Sequence, residues 1–227
     1  MQVVITIGRK MAMALEKEYL DLVLVPIGLL IMFAYHLFLL YRYLHHPLTT
    51  VMGYENQDKK VWVDKIMQAD NKKQVDTALN VIASSTSAAI YLSTISLSFC
   101  SLIGAWIANS TSNFFPSDII YGNTSQSIIS IKYIGLLTCF LIAFSCFIHS
   151  ARHFVHANYL ISTPGDMVQV KKVEEEVIRG GEFWSLGLRA LYFALNLLLW
   201  FFGPIPLFIS SVIMVVILHY HDSKKPD

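Results

Sequence analysis

Four stretches of this chain are longer and more apolar than a water-soluble domain normally contains. They span residues 22–41, 79–108, 133–151 and 190–220, and none of them includes an Asp, Glu, Lys or Arg residue. A helix of about 20 apolar residues crosses the ~30 Å hydrocarbon core of a bilayer, and lipid offers backbone N–H and C=O groups no partner outside such a helix. The sequence therefore predicts an all-α integral membrane protein with four transmembrane helices in a single membrane domain.

Composition narrows the classes of function. Only 15% of the 227 residues are charged, whereas soluble domains carry about 25%. The net charge of +1 provides no strongly basic surface, which argues against nucleic acid as a partner. The sequence shows no nucleophile–histidine arrangement, glycine-rich phosphate loop or paired catalytic carboxylates. We therefore expect a protein that is not an enzyme and has no cofactor.

Lysine and arginine residues mark the loops that are expected to face the cytosol. They concentrate in loops 42–78 and 152–189 and are absent from residues 109–131, and an excess of both is typical of cytosolic loops. Loop 109–132 also carries two glycosylation sequons, at Asn109 and Asn123, which are modified only on the luminal side. We predict that this loop is luminal or extracellular, in a membrane of the secretory pathway (endoplasmic reticulum or plasma membrane).

Both cytosolic loops contain helical patterns. From about Asp58 the apolar residues recur near helical spacing and run into the second apolar block without a breaker, which predicts one long helix projecting into the cytosol. The other loop has an apolar stripe that ends before Gly180 and Gly181: Met167, Val170, Val173 and Val177. This stripe predicts an amphipathic helix on the membrane surface, with the two glycines as its stop.

The second apolar block carries a row of polar residues at alternating steps of three and four. We name these residues the hydroxyl face: Ser84, Ser87, Tyr91, Thr94, Ser98 and Ser101. Such spacing places them on one side of a helix. We expect this face to pack against another helix, because small and hydroxylated residues allow helices to approach closely. The alternative is that it lines a water-filled path for a small solute.

Three histidines share one face at the cytosolic end of the third block. His149, His153 and His156 stand at i, i+4 and i+7, a spacing that suits a metal ion. The chain has no HExxH or CxxC motif and no carboxylate within this run, and such partners normally accompany a metal site. The acidic run 174–176 is most simply a solvated face. We therefore predict no bound metal and keep the three histidines as weak candidates.

The fourth block is longer than one perpendicular crossing requires. Gly203, Pro204 and Pro206 interrupt it near the middle, and we expect a proline kink within one helix. The alternative is a re-entrant turn, which would return Lys224 and Lys225 to the cytosol. No block contains an Asp, Glu, Lys or Arg residue, and the nearest candidates for a functional group within the membrane are His36 and Asn196. Because ion-coupled transporters usually retain ionisable groups there, this scarcity weakens a coupled-transporter hypothesis.

One run is distinctive, from His46 to Thr50 (HPLTT), and it lies within the longer stretch from Leu20 to Asn56. In these residues the chain resembles a plant family of uncharacterised polytopic membrane proteins that is catalogued as a domain of unknown function. The resemblance extends over most of the chain from about Met13. It implies a membrane protein but supplies no activity and no functional residue.

Taken together, the patterns favour a non-enzymatic multi-pass membrane protein that acts through helix–helix assembly. Its surroundings would be the lipid bilayer, and its partner would be a second copy or another membrane protein. The alternative is a small passive channel or carrier lined by the hydroxyl face. A metal-dependent membrane enzyme that uses the three histidines ranks third.

Overall fold

The computed structural model describes residues 2–69, 71–109, 125–163 and 169–222, with the backbone alone for residues 2–18 and 109. These residues form α1 (Gln2–His45), α2 (Val51–Met67), α3 (Lys72–Asn109), α4 (Gln126–Ser162), α5 (Val170–Leu199) and α6 (Pro204–Asp222). Short 3₁₀ helices at Pro47–Thr49 and Trp200–Phe202 join α1 to α2 and α5 to α6. No strand occurs among the described residues, so the all-helical prediction is confirmed.

Within the described residues, five helical segments are long and apolar enough to cross a membrane, where four were predicted. They are Tyr19–His45, Lys72–Ala108, Gln126–Ser162, Val170–Phe202 and Pro204–Asp222. Large apolar side chains, such as Leu30, Leu102 and Val216, lie exposed on their outer surfaces. Soluble monomers rarely expose apolar patches of this extent, whereas lipid tails in a membrane would cover these side chains.

Helix α4 lies between α3 and α5 and runs antiparallel to both. Near the middle of α3, Phe99 stacks on Phe140 with ring centroids 5.1 Å apart. Nearer the start of α3, Ile82 shares a buried cluster with Ala157, which lies towards the end of α4. The shared clusters make α4 the central helix of the fold.

Two glycines bring α5 close to α4. A Cβ atom added to Gly180 would lie 2.7 Å from Phe154 Cε1, and one added to Gly187 would lie 2.8 Å from Phe147 Cε1. Helix α5 continues through Gly180 and Gly181, so the predicted helix stop at these residues is wrong. The missing side chains instead allow the backbone of α5 to reach the buried aromatic rings of α4.

The predicted surface helix is also wrong, because its apolar stripe packs inside the protein. Val173 and Val177 are buried in one cluster with Phe154 and Ala157 of α4. They form the first turns of the continuous helix α5 rather than a separate helix. Met167, the first residue of the predicted stripe, lies outside the described residues.

The predicted long helix from Asp58 into the second block is two helices, α2 and α3. Asn71 Oδ1 accepts a hydrogen bond from the Lys73 backbone N–H at 3.0 Å, and this side-chain bond caps the start of α3. The break allows α2 to fold back against α5, where Val63 is buried in the same cluster as Val177.

The predicted fourth span, residues 190–220, is a helical hairpin rather than one kinked helix. Gly203 has φ 136°, a conformation that residues with a side chain rarely adopt, and Pro204 begins α6. Arg189 Nη2 then lies 3.5 Å from Asp222 Oδ2, which shows that α6 returns antiparallel along α5. The local sequence is compatible with either a kink or a turn. The contact between Arg189 of α5 and Asp222 at the end of α6 shows that the chain turns.

Helix α1 runs parallel to α6. A Cβ atom added to Gly28 would lie 2.8 Å from Leu207 Cδ2, and two turns further along the Tyr35 hydroxyl donates to Asp222 Oδ2 at 3.0 Å. Helix α6 packs against both α1 and α5, so these three helices form one group. Helices α4 and α3 continue the fold from α5.

Candidate functional site

The hydroxyl face lies on the outside of the protein. All six of its residues are exposed, and α3 packs almost entirely against α4 on its opposite side. Ser87, Thr94, Ser98 and Ser101 each donate to a backbone carbonyl of the preceding turn of α3. These four hydroxyl groups therefore need no partner from another helix of the same chain.

The interior side of α3 carries two other serines that the sequence analysis did not single out. Ser93 and Ser96 are 2% and 0% exposed, and each donates to a carbonyl of its own helix. Neither leaves an unsatisfied polar atom that would hold water. A water-filled path lined by the hydroxyl face would consequently have to lie between copies of the chain.

Glu176 of α5 joins two of the three predicted histidines. His153 Nδ1 lies 2.6 Å from Glu176 Oε2, and His156 Nδ1 lies 3.2 Å from Oε1 of the same carboxylate. His149 instead contacts a backbone carbonyl of its own helix, and both His149 and His153 stack on Phe183. The three histidines therefore lie together, but they do not converge on a common point.

The histidine geometry corrects one interpretation of the sequence. Glu176 is not part of a solvated face, because its carboxylate bridges α5 to α4 and its side chain is only 17% exposed. Among the described residues there is no group of three or more His, Cys, Asp or Glu side chains placed to hold a metal ion. The expectation that the protein binds no metal stays a prediction.

A second polar cluster lies inside the protein, between α1, α5 and α6. His36 Nε2, Arg189 Nη1 and both polar atoms of Asn196 are buried without a hydrogen-bond partner. The Asn196 residue is 1% exposed. Arg189 also faces Asp222, whose carboxylate accepts the Tyr35 hydroxyl. His36 lies at this interface near Arg189 and Asp222, and the register of α5 places Asn196 on the same face as Arg189.

The helical register of α5 directs this cluster towards α1. Arg189, Phe193 and Asn196 stand at i, i+4 and i+7 and so share one face. The Phe193 ring lies 4.9 Å from the His36 ring and 5.8 Å from the Phe33 ring, both on α1. Polar groups therefore lie on both sides of an aromatic contact in the middle of the interface.

A third polar cluster joins α1, α4 and the α5–α6 turn at the opposite end of the protein. Lys132 Nζ donates to the Trp200 carbonyl at 3.1 Å, and Trp200 Nε1 donates to Asp21 Oδ1 at 2.8 Å. Asp21 and Lys132 are only 7% and 2% exposed. Lys132 was predicted to lie in loop 109–132, but α4 begins at Gln126 and the ammonium group is buried in the bundle.

A fourth cluster lies where α1 ends and α2 contacts α5. The Tyr43 hydroxyl donates to Glu182 and accepts from Asn56 Nδ2 at 3.0 Å. Beside it opens a cavity of about 450 Å³, whose lining includes Lys60. Burial lowers the pKa of the neighbouring Lys59 ammonium group below its usual value. This cavity combines a basic side chain with a hydrogen-bonded network at the charged end of the bundle.

The charged members of the second and third clusters were not predicted because they stand at the borders of the apolar blocks. Charged residues at such positions usually reach the headgroup region. They are Asp21, Lys132, Arg189 and Asp222. The register of α5 offered one signal, since Arg189, Asn196 and Trp200 recur at helical spacing.

The side chains of the two predicted glycosylation sites lie outside what the structure describes. Asn109 is the last residue of α3, with its backbone alone described, and Asn123 lies outside the described residues. Glycosylation at both positions stays a prediction.

The fold and the exposed apolar surface define the class of the protein: an all-helical chain with five helices long and apolar enough to cross a membrane. Within that class, the chain belongs to the family described as "Protein of unknown function, DUF599", whose model matches residues 23–226. The resemblance to a family of uncharacterised proteins is therefore confirmed, while its restriction to plants stays a prediction. No curated protein and no solved structure matches the chain.

Proposed function

We propose that the protein is a five-span membrane protein of the secretory pathway. The connections from α1 to α2 and from α4 to α5 would face the cytosol, as their lysine and arginine content favours. The connection from α3 to α4, with the Asn123 sequon, would face the lumen. The α5–α6 hairpin supports an odd number of crossings, since it returns α6 to the end of the bundle where α5 begins. Lys224 and Lys225 would then be cytosolic, as the charge distribution favours.

We further propose that the protein acts without catalysis, by assembling with a second copy of itself through the hydroxyl face. The observation that carries this proposal is the outward direction of all six residues. Helices in lipid associate through close packing of small residues and hydrogen bonds between hydroxyl groups. Because α3 contacts little besides α4 among the described residues, its outer side leaves room for a partner.

A second copy suits this surface better than a charged partner does. The six residues carry no charge, and each hydroxyl group is able both to donate and to accept a hydrogen bond. A surface of this kind is complementary to itself, as a two-fold symmetric interface requires. The runner-up is a passive channel or carrier whose water-filled path lies between the hydroxyl faces of neighbouring copies.

Cross-linking tests the proposed assembly. In a variant with Cys100, Cys139 and Cys146 replaced by alanine, Ser98→Cys should give disulfide-linked dimers when membranes are oxidised. Two α3 helices that meet at the hydroxyl face bring the two Cα atoms within the ~7 Å that a disulfide spans. Non-reducing electrophoresis measures the dimer fraction.

The matched control is Leu141→Cys in the same cysteine-free background. Leu141 is exposed on α4, and its depth is comparable because Phe99 stacks on Phe140. It should remain monomeric under the same oxidation. Equal dimer fractions for the two variants, or no dimer at Ser98→Cys, would contradict assembly through the hydroxyl face.

A further inference from the structure

We propose that the cavity of about 450 Å³ beside Tyr43 binds the headgroup of an anionic phospholipid. The cavity lies where α1 ends, and its walls come from α1, the α1–α2 connection, α2 and α5. Its volume falls within the range of about 300–1,000 Å³ that is usual for small-ligand sites. The proposal rests on the proposed crossing of the membrane by α1, and it does not depend on assembly through the hydroxyl face.

One face of α2 supplies the polar part of the lining. It contributes four residues, at i, i+3, i+4 and i+7: Gly53, Asn56, Gln57 and Lys60. The Lys60 ammonium group is positively charged, and the Gln57 amide donates hydrogen bonds. The first turn of α2 reaches the cavity through Gly53 and contains no acidic residue, so the positive end of the helix dipole is close to the same space. These features attract an anion.

Two carboxylates near this lining have partners of their own. Glu55 Oε2 lies 3.8 Å from Lys59 Nζ. Glu182 accepts a hydrogen bond from the Tyr43 hydroxyl, and its negative charge acts on Lys59. Among the residues that the structure describes, Lys60 forms no ion pair. The charge of Lys60 is therefore available to a ligand.

The connection before α2 is held in place by its own hydrogen bonds. The Thr50 hydroxyl accepts from the Gly53 backbone N–H at 3.2 Å and donates to the Pro47 carbonyl at 2.8 Å. Arg42 Nη2 donates to the Thr49 carbonyl at 2.6 Å, which ties the connection to α1. A Cβ atom on Gly53 would overlap the Pro47 carbonyl oxygen, so glycine is required for this close packing. The cavity is thus pre-formed, as ligand sites usually are.

The rest of the lining is largely apolar and adjoins the membrane span of α1. It includes Pro47, Leu48 and Ile178, and the Leu48 residue is 53% exposed. Tyr43 stands near the end of the α1 span at His45, which puts the cavity at the depth of the lipid headgroups. A phospholipid matches this combination, because its phosphate is joined to acyl chains, whereas a free phosphate ion would leave the apolar lining in water. Basic pockets between membrane helices are known sites for anionic headgroups.

Thermal unfolding with added lipid tests the proposal. The protein is kept in a neutral detergent, and its unfolding midpoint is followed by tryptophan fluorescence while short-chain phosphatidylglycerol is added. A ligand that binds only the folded protein raises this midpoint as its concentration rises. Phosphatidylglycerol should raise it, whereas zwitterionic phosphatidylcholine and water-soluble glycerol phosphate should have little effect. The glycerol phosphate arm separates a lipid headgroup from a free phosphate compound.

Variants at exposed positions locate the effect. Lys60→Gln should weaken the binding of phosphatidylglycerol about tenfold, since it removes a charge-assisted hydrogen bond to the phosphate. Leu48→Ser should also weaken it, because the apolar lining loses its most exposed member. Lys65→Gln, at an exposed lysine of α2 outside the cavity, is the matched control and should bind as wild type does. Each variant is compared with its own lipid-free midpoint, so a small change in stability does not affect the comparison.

Three results would overturn the proposal. They are an equal shift with phosphatidylglycerol and phosphatidylcholine, equal binding by Lys60→Gln and Lys65→Gln, and binding of glycerol phosphate as tight as that of the lipid. Ser98→Leu, which alters the hydroxyl face, should keep the lipid binding. Failure of the proposed assembly and failure of lipid binding are therefore separate results.

Discussion

Replacing Asp21 with asparagine should destabilise the protein by about 3–5 kcal/mol, because it leaves the Lys132 ammonium as an uncompensated buried charge. Lys132 is 2% exposed, and Asp21 is the carboxylate whose charge acts on it. Asparagine keeps an acceptor for the Trp200 indole, which donates to Asp21 Oδ1 at 2.8 Å. The change therefore removes the charge and little else. Unfolding in mixed micelles, followed by tryptophan fluorescence, measures the loss.

Substitution of the partner residue, Lys132, completes a double-mutant cycle. Lys132→Met alone should also destabilise, because it leaves the Asp21 carboxylate buried without a cation. Combined with Asp21→Asn, it should cost clearly less than the sum of the two single changes, since the two buried charges act on each other. Lys65→Met, at an exposed lysine of α2, should stay within about 0.5 kcal/mol of wild type. Additive losses would show that Asp21 and Lys132 do not act as a pair.

Gly187→Ala should cost about 1–3 kcal/mol, the usual range for overpacking a buried contact. The new Cβ atom would stand 2.8 Å from Phe147 Cε1, and the Phe147 side chain is fully buried, at 0% exposure. The ring therefore has little room to move aside, and α4 and α5 must separate. Thermal unfolding in detergent, compared with wild type, checks this expectation.

Gly104→Ala is the matched control for this change. Among the described residues, no atom outside the local backbone of α3 lies within 4 Å of the Cβ position at Gly104, and alanine favours a helix over glycine by about 0.5–1 kcal/mol. This variant should be as stable as wild type or slightly more so. Equal destabilisation by the two substitutions would mean that the close approach of α5 to α4 does not depend on Gly187.

The helices themselves were predictable because their cause is local. Long apolar blocks without charge dictate helices in lipid, and the ends near Tyr41 and Tyr220 follow directly from the blocks. The Gly180–Gly181 pair misled the prediction, since glycine ends many helices. Here a tertiary contact with Phe154 decides instead, and that contact pairs residues whose separation in the chain no local pattern reveals.

A re-entrant turn at Gly203 was considered but not favoured, and a hairpin of two long helices was not predicted, again for lack of long-range information. A kink and a turn both need Gly203 and Pro204, so the local signal is the same for each. The turn is stabilised by contacts between Arg189 and Asp222 and between Tyr35 and Asp222. The second pair lies 187 residues apart in the chain.

The candidate sites were also predictable where their cause is local and not where it depends on how the helices pack. Helical periodicity sufficed to group the hydroxyl face, from Ser84 to Ser101, and the three histidines. It could not reveal which way each face points, because that depends on where α3 and α4 pack. Glu176 reaches His153 because the first turns of α5 pack against α4. Charged residues at block borders, such as Lys132, become buried only when the next helix covers them.

The number of membrane crossings is the central claim, and protease protection of the two chain ends tests it most directly. One epitope tag is placed ahead of Met1 and another after Asp227, and sealed microsomes are treated with protease. With five crossings, the tag after Asp227 should be digested and the tag ahead of Met1 should survive until detergent opens the vesicles. Digestion of both tags, or protection of both, would contradict the five-span topology and restore an even number of crossings.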